Sequence, residues 1–164
     1  LNPHLRAFLL PKFNKGALIR LILVALLAFI LFKFFLIPFR IQGHSMAPTY
    51  VDGGFNFCNT LCYTFSPPER YDIVAIRLAG ESVMLLKRVV ALAGETVAFK
   101  NGALYINGRK MEEPYIPYAY DWTLPPRRVK PDHIYVVGDN RRVSMRTHRF
   151  GQTHVNRIVG APLW

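Results

Sequence analysis

Apolar and polar positions fall into two regimes along this 164-residue chain. From Leu21 to Phe32 the run LILVALLAFILF is unbroken apolar; Lys33 interrupts it, and FFLIPF carries it on to Phe39. Twelve apolar residues with no polar face do not describe a helix resting on a soluble core. The stretch 21–39 approaches the roughly 20 residues needed to cross a bilayer core. The pattern predicts a transmembrane helix over 18–37. Lys33 lies near one end, where its stem reaches the headgroups, and Pro38 does not continue a helix. The run is longer than the apolar region of a cleaved leader, about 7–15 residues, and no small-x-small site follows it, so an uncleaved anchor is expected.

Beyond residue 41 the period changes. DIVAIRL (72–78), LLKRVVAL (85–92), TVAFK (96–100), ALYINGRK (103–110) and HIYVVGD (133–139) are short runs rich in Val, Ile and Tyr, punctuated by Gly, Asn and Pro. They predict strands. Lys100-Asn101-Gly102-Ala103 and Asn107-Gly108 are hairpin signals. No amphipathic run of helical length appears after residue 41. Residues 114–131 hold five prolines and read as a long irregular excursion. The expected fold is mainly β: an N-terminal transmembrane helix, then a β-rich domain with a smaller β/loop insertion. The boundaries are 1–17 for an N-terminal segment, 18–37 for the anchor and 38–164 for the folded domain, with the insertion at about 98–132.

Charge narrows the setting. The net charge is +11, with six basic and no acidic residues in 1–40 against fifteen basic and ten acidic in the remainder. The excess flanks the apolar run, which favours a membrane over nucleic acid. No RNP motif, zinc finger or helix-turn-helix pattern is present, so no nucleic-acid partner is expected. The positive-inside rule puts the N-terminus in the cytoplasm and residues 38–164 outside it, in a bacterium on the outer face of the plasma membrane.

Two segments carry candidate chemistry. In GHSMAPTY (43–50), Ser45 sits in a Gly/Pro-bounded stretch just past the apolar run. In LLKRVVALAG (85–94), Lys87 lies among Leu85, Leu86, Val89 and Val90. Alternation alone favours a solvent-facing Lys87. If the lysine is buried, its pKa falls from about 10.4. A two-unit fall costs about 3 kcal/mol and leaves a neutral amine able to take a proton from a serine hydroxyl. A third segment, GDNRRVS (138–144), reads by itself as a polar turn.

Taken in order, GHSMAPT, LLKRVVALAGETV, GALYINGRKMEEPY and YVVGDNRRVSMRTHRFG resemble signal peptidase I, the membrane-bound Ser/Lys proteases that remove signal peptides. The resemblance covers about residues 15–164. It implies Ser45 as nucleophile and Lys87 as general base. It implies that Met46 shields the site and that Pro48 and Thr49 form the turn positioning the serine. Arg88 would be a structural neighbour of the lysine, and Gly138, Asp139 and Asn140 the bracing turn. Ser144 would orient the lysine, much as a third residue orients a triad histidine. The implied substrates are preproteins bound as extended strands, cut after small residues at Ala-x-Ala-like sites. The implied partners are signal peptides, the lipid bilayer and, functionally, the export machinery; no cofactor is implied.

The sequence departs from the family pattern at two places. Gly43 stands where many members carry a serine that donates to the oxyanion. In SMRTHRFG (144–151) the family reads Ser-x-Asp-Ser-Arg. Here Arg146 replaces the Asp, Thr147 keeps a hydroxyl, and His148 replaces the Arg. The Asp–Arg ion pair cannot form, leaving Arg146 to pair with Asp139 or another acid. His44, beside the nucleophile, is at a variable position.

Cys58 and Cys62 would lie about 13 Å apart in one strand, too far for a disulfide, so two free core thiols are expected. The five histidines show no metal-ligand spacing. PYIPYAYDW (114–122) reads equally as an interfacial belt or a core cap. Two rival readings stay open: a specialised maturation peptidase with few substrates, as in conjugation or dedicated secretion, and a catalytically impaired homologue that binds signal peptides.

Overall fold

The computed structural model describes residues 14–77, 84–117, 121–148 and 150–164. Two compact units are present, residues 1–36 and residues 37–164.

The first unit contains helix α1, Lys15–Phe35. Asn14 caps it, its side chain accepting from the Ala17 N–H at 2.7 Å, which satisfies one of the free amides of the first turn. None of its residues is buried. A mean hydropathy of 2.6 over its 18-residue window and a length of 21 residues make it long and apolar enough to cross a membrane. At 1.5 Å per residue it spans about 30 Å, the thickness of a hydrocarbon core. The helix stops two residues before the expected 37. Leu36–Arg40, containing Pro38, is strand β1, consistent with the extended bias that a proline imposes on its predecessor.

The second unit is built on two antiparallel sheets. The larger uses β1, β2 (Phe55–Asn59), β3 (Ile73–Arg77), β4 (Met84–Ala91), β9 (His133–Val137), β10 (Gly151–His154) and β11 (Ile158–Pro162), in the order β1-β2-β11-β3-β4-β9-β10. The smaller uses β5 (Thr96–Lys100), β6 (Ala103–Ile106), β7 (Arg109–Lys110) and β8 (Leu124–Arg128), in the order β7-β6-β5-β8. Both hairpin signals form two-residue turns. Lys100 faces Ala103 across Asn101 (φ 48°) and Gly102 (φ 79°), and Ile106 faces Arg109 across Asn107 (φ 50°) and Gly108 (φ 80°). Paired positive φ angles are what such tight turns need.

Part of the Pro-rich excursion is strand β8, which pairs with β5. It lies at the sheet edge, where prolines are tolerated because no ladder bond is lost on the open side. Side chains of the two sheets share one core: Val90, Ala91, Tyr135 and Val137 from the larger, Val97, Phe99, Leu104, Ile106 and Leu124 from the smaller, with Trp122 and Val129. Burying five such large side chains contributes on the order of 10 kcal/mol before chain entropy is set against it. Strand β4 is the spine of the larger sheet, and Leu86 to Ala91 are all buried. Cys58 is buried and Cys62 half-buried, and both are free thiols. Cys62 lies beyond the end of β2, its Sγ donating to the Asn59 carbonyl at 3.1 Å.

Candidate active site

Ser45 lies in the loop between β1 and β2. The loop closes through Ile41 N–H to the Gly54 carbonyl (2.8 Å) and Gly53 N–H to the Ile41 carbonyl (2.9 Å). Inside it the chain turns tightly: Ala47 N–H donates to His44 O (3.2 Å) and Tyr50 N–H to Met46 O (2.9 Å). Met46 is the loop's anchor, 2% exposed and packed with Ile41, Cys58, Ala75 and Leu86. Ser45 is half-buried beside it. Gly43 has φ 88°, and its N–H donates to Asp52 Oδ1 at 2.7 Å, so that amide is engaged within the loop. His44 is exposed; its Nε2 lies 3.9 Å from Asp52 Oδ2.

Lys87 is 2% exposed on β4. The solvent-facing orientation favoured by alternation alone does not occur, because both faces of β4 are covered: every residue from Leu86 to Ala91 is buried. Across β3 it faces Val74. On the other side Arg88 faces Val137 of β9, and the next residue, Gly138, follows beside Lys87 in the antiparallel ladder. Gly138 leaves room that other chain fills. A Cβ there would fall 2.7 Å from both Cε1 and Nε2 of His148 and closer still to the Ser45 carbonyl oxygen. The Ser45 backbone, the His148 ring and strand β4 therefore converge on one glycine.

The turn after β9 holds the Ser45 loop directly. Asn140 N–H donates to the Ser45 carbonyl at 3.0 Å, and its side-chain Nδ2 donates to the His44 carbonyl at 2.9 Å. Two successive carbonyls are thus clamped by one residue. Asp139, 2% exposed, receives Arg88 in a bidentate pair: Nε to Oδ1 at 2.8 Å and Nη2 to Oδ2 at 2.6 Å. Thr49 Oγ1 donates to the same Oδ2 at 2.5 Å. Arg88 also donates through Nη1 to the Tyr71 carbonyl (2.8 Å) and stacks 3.9 Å over the Tyr115 ring. Tyr71 has φ 76°, a conformation that costs a non-glycine residue on the order of 1–3 kcal/mol and is held only by its surroundings. Burial alone would lower the Arg88 pKa, but hydrogen bonding and charge from Asp139 outweigh it and the pKa is raised.

Asp139 is given to Arg88 and Thr49, not to Arg146. Arg146 is exposed and lines an open cavity of about 580 Å³ with Arg127, Lys130 and His133. Ser144, exposed, begins a turn: its Oγ accepts from Arg146 N–H at 3.3 Å, and its carbonyl accepts from the amides of Thr147 and His148, each at 3.0 Å. Thr147 Oγ1 donates to the same carbonyl at 3.1 Å.

Several participants have no sequence signal of their own. Glu113 forms a buried ion pair with Arg141 at 2.5 Å, and Arg141 Nε donates to the Gly138 carbonyl at 3.2 Å. Tyr115 adds a hydrogen bond to Glu113 at 2.7 Å. His148 is 6% exposed, and its Nε2 accepts the Gly138 N–H at 3.0 Å. Burial first, then the charges of Lys87 and Arg141, push its pKa down to about 3. Only the contacts across the fold reveal Glu113, Arg141 and Tyr115, and the acceptor role of His148, which the sequence marks only as standing at the family's arginine position. Among the described residues no group of His, Cys, Asp or Glu is arranged to hold a metal ion.

A family model described as signal peptidase, peptidase S26, matches residues 15–163. Signal peptidase I of Bacillus caldolyticus is 38% identical over 134 residues, 73% of this chain and 73% of that protein. Probable signal peptidase I-1 of Synechocystis is 34% identical over 155 residues, 89% of this chain and 79% of that protein. A crystal structure of a signal peptidase I from Enterococcus faecalis is 29% identical, with a TM-score of 0.47 over 57% of this chain and 95% of that one. With a family model matching residues 15–163 and relatives 34–38% identical over most of its length, the chain belongs to the signal peptidase family, peptidase S26, and is a serine endopeptidase of the signal peptidase I type.

Proposed function

We propose that the chain cleaves N-terminal signal peptides from exported preproteins after small residues, at Ala-x-Ala-like sites, with Ser45 as nucleophile and Lys87 as general base. The observation that carries the reading is the convergence on Gly138. The carbonyl of Ser45 packs against a glycine that follows the partner of β4, one step from the buried Lys87.

Neutral Lys87 takes the Ser45 proton as Oγ attacks the scissile carbonyl. The tetrahedral oxyanion is stabilised by backbone amides including that of Ser45. The C–N bond then breaks, and the lysine returns its proton to the leaving amine. Water, deprotonated by the same lysine, attacks the acyl carbon; the bond to Ser45 Oγ breaks, and the lysine returns the proton to Oγ. Arg88, Asp139, Asn140 and Thr49 hold the serine loop to the turn after β9, while Met46 shields it. Ser144 orients Lys87, and Thr147 keeps the hydroxyl of the segment 144–148.

Residues 1–17 form a cytoplasmic segment and 18–37 a single membrane anchor, by the charge asymmetry of the N-terminus. Residues 38–164 form the extracytoplasmic catalytic domain, with 98–132 as its smaller insertion. That placement puts the site on the extracytoplasmic side, in functional reach of the export machinery. A narrow-substrate maturation peptidase is the second reading, favoured by the basic cavity that Arg146 enters in place of an acidic residue. The test is cleavage of a preprotein with an Ala-x-Ala site by wild type, Ser45→Ala and Lys87→Ala. Activity surviving either substitution refutes the dyad, and activity on one substrate only selects the specialist.

A further inference from the structure

Of the buried groups that the proposed chemistry does not use, His148 touches the most of its parts. Nε2 accepts from the Gly138 N–H, so Nε2 carries no proton and the ring hydrogen is on Nδ1. Nδ1 is buried and has no hydrogen-bond partner among the described residues. The ring stands edge-on to Trp122, centroids 5.0 Å apart, and 6.0 Å from Phe150. Trp122 is in turn held by its indole N–H on the Val143 carbonyl at 3.1 Å.

A histidine in an aromatic nest is most often simply packed there, and three observations separate this one. Its acceptor bond falls on the glycine whose vacant Cβ position is shared by its own ring and the Ser45 carbonyl. Its ring is near enough to Lys87 to feel that charge. The family resemblance expects an arginine here, paired with an Asp two positions earlier, and an arginine has no acceptor to offer Gly138. With Arg146 at the Asp position, an arginine at 148 would also be an unpaired cation.

Resting on the Ser45/Lys87 reading, we propose that His148 is a positioning residue. As the neutral Nδ1–H tautomer it accepts the Gly138 N–H, seats the turn 138–140 on the Ser45 backbone and keeps a fixed positive charge away from Lys87. The titratable and charged groups around it are Lys87 from β4 and Arg141 from the turn, the latter neutralised by Glu113. Asp139 and Arg88 neutralise one another. Trp122 and Phe150 bring no charge.

The test compares His148→Gln, His148→Leu and His148→Arg on a fluorogenic peptide with an Ala-x-Ala site, with Lys87→Ala alongside. Gln offers a neutral acceptor near the place of Nε2 and is expected to stay within about fivefold of wild-type kcat, whereas Leu loses about 100-fold with little change in KM. Arg loses kcat like Leu, and its added charge moves the acidic limb of the kcat/KM profile down by about one pH unit. Ring-nitrogen NMR of the wild-type enzyme is expected to show a signal from a histidine with unprotonated Nε2 that disappears in His148→Gln, separate from that of His133, whose Nδ1 donates to the Pro131 carbonyl. Equal kcat for Gln and Leu, an unmoved limb in Arg, or an Nε2-protonated His148 overturns the proposal. If the Leu variant does not fold, the Gln–Arg comparison and the wild-type tautomer decide. Cleavage by Lys87→Ala would refute the base assignment separately, because the tautomer does not depend on it.

Discussion

Replacing Gly138 with alanine adds one methyl group at the point where the serine loop meets the sheet. The new carbon would lie 2.7 Å from two atoms of His148 and nearer still to the Ser45 carbonyl oxygen. Non-bonded contacts settle at about 3.5 Å or beyond, so relief requires shifts on the order of 1 Å, shared between imidazole and serine backbone. The backbone is the less mobile of the two, being tied through the Ser45 and His44 carbonyls to Asn140. Overpacking of this kind costs about 1–3 kcal/mol. For a chain of this size that is a fall in Tm of about 2–12 °C.

The catalytic effect should be the larger. Misplacing a nucleophile by 1 Å costs about 100-fold in rate, and it should appear in kcat. Steady-state cleavage of an Ala-x-Ala peptide, beside a thermal melt, measures both. Gly94→Ala is the control: its φ of +82° also strains an alanine, but nothing lies within 4 Å of the added carbon. It should lose stability by about 1–2 kcal/mol and keep its kcat. A Gly138→Ala enzyme with wild-type kcat, or a Gly94→Ala enzyme that loses as much, would refute the reasoning.

Other outcomes follow from the buried charges and thiols. Arg88→Met strands the Asp139 carboxylate and should cost about 3–5 kcal/mol in urea unfolding, with much of the loss recovered by Arg88→Met combined with Asp139→Asn; equal losses in single and double variants would contradict this. His148 is neutral in the fold down to about pH 3, whereas the unfolded chain protonates it below about 6.5. Between those values the unfolded state binds more protons, so stability should fall as pH drops, by up to about 5 kcal/mol. His148→Gln should flatten that part of the urea-midpoint profile, and an unchanged slope would be inconsistent with a buried neutral ring. Burial pushes the Cys58 thiol up to about 11, so native enzyme at pH 8 should resist alkylation there. Labelling as fast as in urea would count against a closed core around β2.

How legible each part was depended on the range of the contacts that fix it. The hairpins at Asn101-Gly102 and Asn107-Gly108 were plain, because positive φ angles are a local requirement met by local residues. Strands β3, β4, β5 and β9 were plain because their apolar runs are bounded by turn residues. Strand β10, GQTH, shows no such pattern: it is an edge strand only partly covered. Strand β8 was hidden by its prolines, which an edge position excuses. At the site, motif order marked Ser45, Lys87 and the 138–140 turn, but the contacts that brace that turn did not announce themselves. Nothing in the spacing of Glu113 and Arg141, or of Gly138 and His148, states that they meet. The first meeting brings the segment after β7 against the turn after β9, and the second is made by the β9–β10 connection folding back on itself. His148 was legible only as a missing arginine, and its acceptor nitrogen became meaningful once Gly138 was found beneath it.

The position of β11 bears on when this protease can become active during its own manufacture. Residues 158–162 slot between β2 and β3. The segment bearing Ser45 precedes β2, and Lys87 lies on β4, so the two halves of the larger sheet are zipped together by a stretch made after both. Until that stretch has emerged and paired, no ladder joins the strands flanking the proposed nucleophile to the strand of the proposed base. A ribosome-bound or partly translocated chain would then be a dormant hydrolase, whose first competence to cut coincides with completion of its central seam.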